Sequence, residues 1–153
     1  SSFDKNGAAG DNSIGGNTFN TQCSITNSGS GQVSIAHTNP DIYNGNLTIN
    51  NTGTHSMYLA YNSAGNQIAG NLTATNSATG TYGRINISTI TASTLAIGGD
   101  VNLTINGSAT NLYTYFGDDG DLTVAGDVTT INAGTGNISD LRIGNNTNFS
   151  VDV

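Results

Sequence analysis

Short runs of alternating apolar and polar residues, each closed by Gly, Asn or Asp, follow one another along the chain. In Leu47-Thr48-Ile49-Asn50, Leu47 and Ile49 fall on one side and Thr48 and Asn50 on the other, the period-two pattern of a strand with one buried face. Good helix formers are scarce among the turn residues. The pattern therefore predicts an all-β chain of many short strands joined by tight turns.

The runs recur at a nearly constant interval. Segments 19–29, 43–53, 68–78, 97–107 and 124–134 are versions of one another, with steps of 24, 25, 29 and 27 residues between their first positions. Such an interval is the mark of stacked repeats. The expected fold is a parallel β-helix, or β-solenoid, of about five three-sided coils with a period of 24–29 residues. The repeat opening at Tyr43 shows the three sides: Leu47-Thr48-Ile49, Met57-Tyr58-Leu59-Ala60 and Asn66-Gln67-Ile68. A strand of three or four residues is not stable alone, but coils stacked about 4.8 Å apart would pair each strand with its equivalents above and below. Thr89 to Ser93 is expected to be an insertion that lengthens the third repeat.

The corners give a second periodicity. Asn27, Asn51, Asn76 and Asn132 each lie eight residues after the start of their repeat, and Gly29, Gly53 and Gly134 lie two further on. An inward Asn at this place is expected to bond its own turn and the next Asn of the stack, with the Gly supplying a positive φ. In the fourth repeat Ile105 takes the equivalent slot and Asn106 comes one residue late, which predicts a bulge or shifted corner. Residues 1–16 hold only Phe3 and Ile14 as apolar anchors and are expected to form an irregular cap or an incomplete coil, leaving 17–153 as solenoid repeats.

Composition narrows the function classes. The chain has 153 residues, with 21 Gly, 23 Asn, 22 Thr and no Glu, and its net charge of −7 comes from ten Asp against Lys5, Arg84 and Arg142. Without a basic run, nucleic acid is not an expected partner. No apolar stretch of about 18 residues offers a membrane span, so insertion is not expected either. The single Cys23 falls on an inward strand position, and a buried, unpaired thiol is expected there. Ser1-Ser2-Phe3-Asp4-Lys5 has neither the charged start nor the apolar stretch of a signal peptide, so a mature or excised piece of a longer protein is expected.

Candidate chemistry is sparse. His37 and His55 fall at different offsets in their repeats, and no Ser/His/Asp or Cys/His spacing stands out, so no enzyme and no catalytic residues are expected. Asp118, Asp119 and Asp121 put three carboxylates within four residues at a Gly-containing turn; calcium, a cation of hard-oxygen sites, is the one candidate cofactor. The competing reading is a solvated acidic corner. Outward positions of the first side form a polar ladder that includes Thr26, Thr48, Thr73, Thr75 and Thr104, a hydroxyl array suited to ice and also ordinary strand filler. On the second side Tyr58, Tyr113 and Tyr115, with Tyr82, are candidates for stacking on polysaccharide; packing across strands is the alternative.

The stretches Gly15-Gly16-Asn17-Thr18-Phe19, Ile25-Thr26-Asn27-Ser28-Gly29-Ser30-Gly31, Asn39-Pro40-Asp41-Ile42-Tyr43-Asn44-Gly45-Asn46-Leu47-Thr48 and Gly65-Asn66-Gln67-Ile68-Ala69-Gly70-Asn71 resemble repeats of very large secreted surface proteins of Bacteroidota, the adhesin-like class exported by the type IX system. The resemblance covers about residues 3–78 closely and the remainder only by pattern. It implies extracellular placement at the cell surface, a long repeat array, and adhesive or filament-like service. The expected function is thus a non-enzymatic structural or adhesive segment, its partners being neighbouring repeats or further copies end to end. A ligand-binding solenoid for polysaccharide or ice is the alternative.

Overall fold

A computed structural model of the chain describes residues 1–144 and the backbone of 149–151. Three parallel sheets, each of six strands, wrap a common interior, and each turn of chain contributes one strand to every sheet in order. The first sheet holds β1 (Ser2–Lys5), β4 (Cys23–Asn27), β7 (Leu47–Asn51), β10 (Leu72–Asn76), β13 (Val101–Ile105) and β16 (Val128–Asn132). The second holds β2 (Asp11–Asn12), β5 (Val33–Ser34), β8 (Met57–Leu59), β11 (Tyr82–Ile87), β14 (Asn111–Phe116) and β17 (Ile138–Ile143). The third holds β3 (Thr18–Phe19), β6 (Ile42–Tyr43), β9 (Asn66–Ile68), β12 (Thr94–Ile97), β15 (Asp121–Val124) and β18 (Phe149–Val151). This is the three-sided β-solenoid that the repeat predicts, its five repeats preceded by one winding built from residues 2–19.

Register is what makes the coils equivalent. Cys23 pairs with Leu47, Leu47 with Leu72 and Leu72 with Val101, while Ile25, Ile49, Ala74 and Leu103 form the adjacent inward column. The two columns are buried and join Met57, Leu59, Ile85, Ile87, Leu95, Ile97, Phe116 and Leu122 in one continuous core. Because strand alternation has period two, a slip of one residue would turn all of these outward, so the hydrophobic columns themselves fix the register. Residues 2–19 add one strand to each sheet and pair with the coil above, so the first winding begins at β1. The insertion at 89–93 forms a tight turn closed by the Ser93 amide on the Ile90 carbonyl at 2.7 Å, between β11 and β12.

Two expectations about corners are corrected. Gly29, Gly53 and Gly134 are not among the residues of positive φ. They are glycines because coils touch there: a Cβ on Gly53 would collide with the Gly29 carbonyl oxygen, and one on Gly29 with that of Gly7. The recurring left-handed position is instead the corner after the second sheet, where Ala36, Ala60, Ser88, Gly117 and Gly144 have φ of 54°, 51°, 54°, 71° and 65°; Gly15, Gly16, Gly65 and Gly80 have positive φ elsewhere. There is likewise no bulge at Ile105, which pairs directly with Asn76 below and Asn132 above. It replaces an amide because Ala78, Ala109 and Leu112 cluster with it as an apolar corner.

Asn27, Asn51 and Asn76 are fully buried, whereas Asn132 on the last winding is exposed; Asn27 bonds its own turn and the next Asn as expected, and Asn51 and Asn76 bond differently. Asn27 donates to Gly31 O at 3.2 Å and to Asn51 Oδ1 at 3.3 Å. Asn51 donates to His55 O in its own turn and to Arg84 O in the next coil, at 2.8 and 3.1 Å. Asn76 repeats this with Gly83 O and Tyr113 O at 3.1 and 2.7 Å. Asn51 and Asn76 thus tie a first-sheet strand to the second-sheet backbone one coil on, and Asn27 ties its own turn to the Asn51 side chain.

Candidate functional site

The core is closed to chemistry, so function has to be sought on the three lateral faces, the acidic corner and the two ends. Cys23 is buried and unpaired. His37 and His55 are far from forming a pair: His37 stacks on Tyr61 with ring centroids 4.9 Å apart, and His55 Nδ1 accepts the Ser56 amide at 2.8 Å.

The first-sheet face is a regular array. One outward column reads Ser2, Ser24, Thr48, Thr73, Asn102, Thr129 and the other Asp4, Thr26, Asn50, Thr75, Thr104, Ile131. Thr26, Thr48, Thr73, Thr75 and Thr104 are half-buried between their column neighbours. Asn50 and Asn102 interrupt the hydroxyls, so the surface is a hydroxyl lattice broken by single amides.

Asp118, Asp119 and Asp121 sit at a corner folded over the insertion of the preceding coil. The Asp118 and Gly120 amides bond Ser88 O, at 3.1 and 3.0 Å, and the Asp121 amide bonds Ser93 O at 3.0 Å. Asp118 Oδ2 accepts Asn86 Nδ2 at 2.8 Å. Among the described residues no three His, Cys, Asp or Glu side chains are grouped as a metal ion would need.

The second-sheet face carries the large side chains. Tyr58, Asn86, Tyr115 and Arg142 occupy one outward column, and Arg84, Tyr113 and Asp140 the next. The Arg84 guanidinium lies 5.0 Å from the centre of the Tyr113 ring and that of Arg142 lies 5.2 Å from Tyr115, while the two tyrosine rings are 5.5 Å apart and tilted by 50°. Asp140 Oδ2 accepts Arg142 Nε at 2.7 Å. Tyr58 meets Tyr61 edge-on at 5.4 Å. Burial raises the Tyr115 phenol above its ordinary range, with Arg142 opposing the shift. The structure therefore brings Tyr58, Tyr113 and Tyr115 onto one face, with Tyr82 exposed at its margin. Arg84, Asn86, Asp140, Arg142 and the ring pair His37 and Tyr61 belong to the same surface and were not grouped by the repeat pattern. The legible signal was spacing: Arg84 stands 29 residues before Tyr113, the period of that coil.

The ends differ from the middle. At the amino-terminal end a cavity of about 300 Å³ opens onto the core between Phe3, Phe19, Cys23, Ile25, Val33 and Tyr43. Phe19 and Tyr43 are stacked at 4.8 Å, and burial pushes the Tyr43 phenol well above its usual range, with Asp41 adding to the shift. Lys5 occupies the column of the inward asparagines, buried, with Nζ donating to Gly7 O at 2.6 Å and lying 3.4 Å from Asp11.

Among the described residues no helix is long and apolar enough to cross a membrane. These features define a parallel three-sided β-solenoid with one aromatic face. Comparison with family models, curated proteins and solved structures finds no match to this chain.

Proposed function

We propose that the chain is a non-enzymatic structural and adhesive segment of an extracellular surface array or filament, in which solenoid coils continue end to end. One observation carries this reading. Of the large hydrophobic side chains exposed among the described residues, Phe3 (53%) and Ile14 (66%) lie on the first winding and Ile131 (55%), Ile138 (45%) and Ile143 (41%) on the last, leaving only Tyr82 between them. The same windings present strands β1 to β3 and β16 to β18, each paired on one side only. An unpaired, flat edge beside exposed apolar residues is a template for another strand. A following coil in the same register, from the same chain or from a second copy, would bond those edges and cover those side chains.

Extracellular placement is supported by the resemblance of residues 3–78 to secreted repeat arrays. The test is mass and shape against concentration, by light scattering and sedimentation. The parent chain is expected to form elongated oligomers as concentration rises, and Ile131→Lys with Ile143→Lys to remain monomeric while keeping the β spectrum. A parent that stays monomeric at every concentration would remove end-to-end stacking.

A further inference from the structure

We infer that the outer face of the second sheet is a binding strip for a neutral, extended polysaccharide laid along the solenoid axis. The three faces are equivalent as backbone, so the other two serve as internal controls. The first-sheet face is built almost wholly from Ser, Thr and Asn, and the central third-sheet face carries Ile42, Gln67, Ala96 and Thr123, so the coil does not need large outward side chains to stack. Yet Tyr58, Tyr113, Tyr115, Arg84 and Arg142 project from the second sheet, with Tyr61 at the corner beside it. Both arginines of the chain are on this face.

The strip runs from His37 on Tyr61, through Tyr58 and Asn86, to Tyr113, Tyr115 and Arg142. It crosses five successive coils, four steps of roughly 4.8 Å, or about 19 Å of axis. Such a length suits a linear chain of several sugar units more than a single small molecule. Its chemistry also suits hydroxyls. Aromatic rings offer amphipathic surface, and Arg84, Asn86, Asp118, Asp140 and Arg142 supply planar donors and acceptors beside them. Arg84 has no carboxylate within ion-pair distance among the described residues, and Arg84 Nε and Asn86 Oδ1 are buried with no hydrogen-bond partner. Charge selects the neutral class: Arg84 and Arg142 are offset by Asp118 and Asp140, and the −7 of the whole chain repels a polyanion.

The inference concerns a lateral face and is independent of the ends, so it is tested on the monomeric Ile131→Lys, Ile143→Lys background. Native gels cast with soluble hydroxyethylcellulose, xyloglucan, galactomannan or β-1,3-glucan are compared with gels of alginate and polygalacturonate. Retardation is expected in at least one neutral gel, unchanged at high salt, with none in the acidic gels. Tyr115→Ala and Arg84→Gln are each expected to weaken binding roughly tenfold, the effect of losing one good contact, while Thr48→Ala with Thr73→Ala leaves it unchanged. Circular dichroism checks the fold, and Tyr58→Ser decides if Tyr115→Ala does not fold. No retardation in any neutral gel, retardation confined to acidic gels, or full binding by the folded face variants would overturn the inference.

Discussion

An inward Asn in a β-solenoid links a carbonyl of its own turn to one of the neighbouring coil. Asn51 supplies a donor both to His55 O and to Arg84 O, so replacing it with the nearly isosteric Leu keeps the volume and leaves two carbonyls without that donor. Asn51→Leu is expected to lower stability by about 2 kcal/mol, the cost of these buried hydrogen bonds and of the Asn27 amide losing the Asn51 oxygen, read from urea unfolding. An unchanged midpoint would show that the carbonyls find other donors. Ile105 in the same column shows when an apolar residue serves: its surroundings are Ala78, Ala109 and Leu112. Tyr43 gives a second residue-level expectation. Its phenol is held above the ordinary value of about 10 by burial first and by Asp41 next. Below that pH both folded and unfolded chains keep the proton and stability does not depend on it. Above it the unfolded chain loses the proton while the folded chain retains it, so stability falls as pH rises. Melting temperatures between about pH 9 and 12 should therefore fall more steeply for the parent than for Tyr43→Phe; parallel slopes would place the alkaline loss elsewhere.

At the scale of elements, the step entering the last four first-sheet strands is a Gly followed by Asn or Asp: Gly45-Asn46, Gly70-Asn71, Gly99-Asp100 and Gly126-Asp127. The side chains form a ladder, Asn46 Oδ1 accepting the Asn71 amide at 2.9 Å, Asn71 Oδ1 the Asp100 amide at 2.9 Å, and Asp100 Oδ1 the Asp127 amide at 3.1 Å. The glycine makes room for that oxygen: a Cβ on Gly99 would overlap Asn71 Oδ1. Gly99→Ala should thus destabilise by displacing the rung. In Asn71→Ala the rung is already absent, so the double variant should lose less than the sum of the singles in a denaturation cycle. Strict additivity would mean that the nearby Gly70 backbone, not the ladder, resists the methyl group. The Gly-Asn recurrence was legible in the chain as a repeat marker, and the inward columns from Cys23 to Val101 were legible from alternation. The ladder itself was not, because it joins atoms 25 to 29 residues apart across coils and leaves no local pattern. For the same reason the positive φ of Ala36, Ala60 and Ser88 went unread: only their stacking at one corner reveals them, and Ala and Ser are not turn markers of that kind.

For the whole molecule, every coil contacts only its neighbours, so stability is a sum of coils and interfaces and is lowest where an interface is missing. The middle windings, with β7, β10 and β13 paired on both sides and their inward residues fully buried, contrast with β16, whose residues are mostly exposed. The acidic corner and the aromatic strip were each half legible in the chain, since Asp118 to Asp121 are adjacent in sequence, whereas the strip gathers residues from His37 to Arg142 and needs the period of every coil to be known. Amide hydrogen exchange is expected to show a gradient, slowest in β7, β10 and β13 and fastest in β1 to β3 and β16 to β17. If ends stack, protection in those outer strands should rise with protein concentration while the centre stays constant, because only the outer edges gain a pairing partner. Uniform exchange along the chain would instead indicate a single cooperative unit, in which the outer windings draw their stability from the whole core. A gradient indifferent to concentration would leave the nearest-neighbour description in place and remove the association between ends.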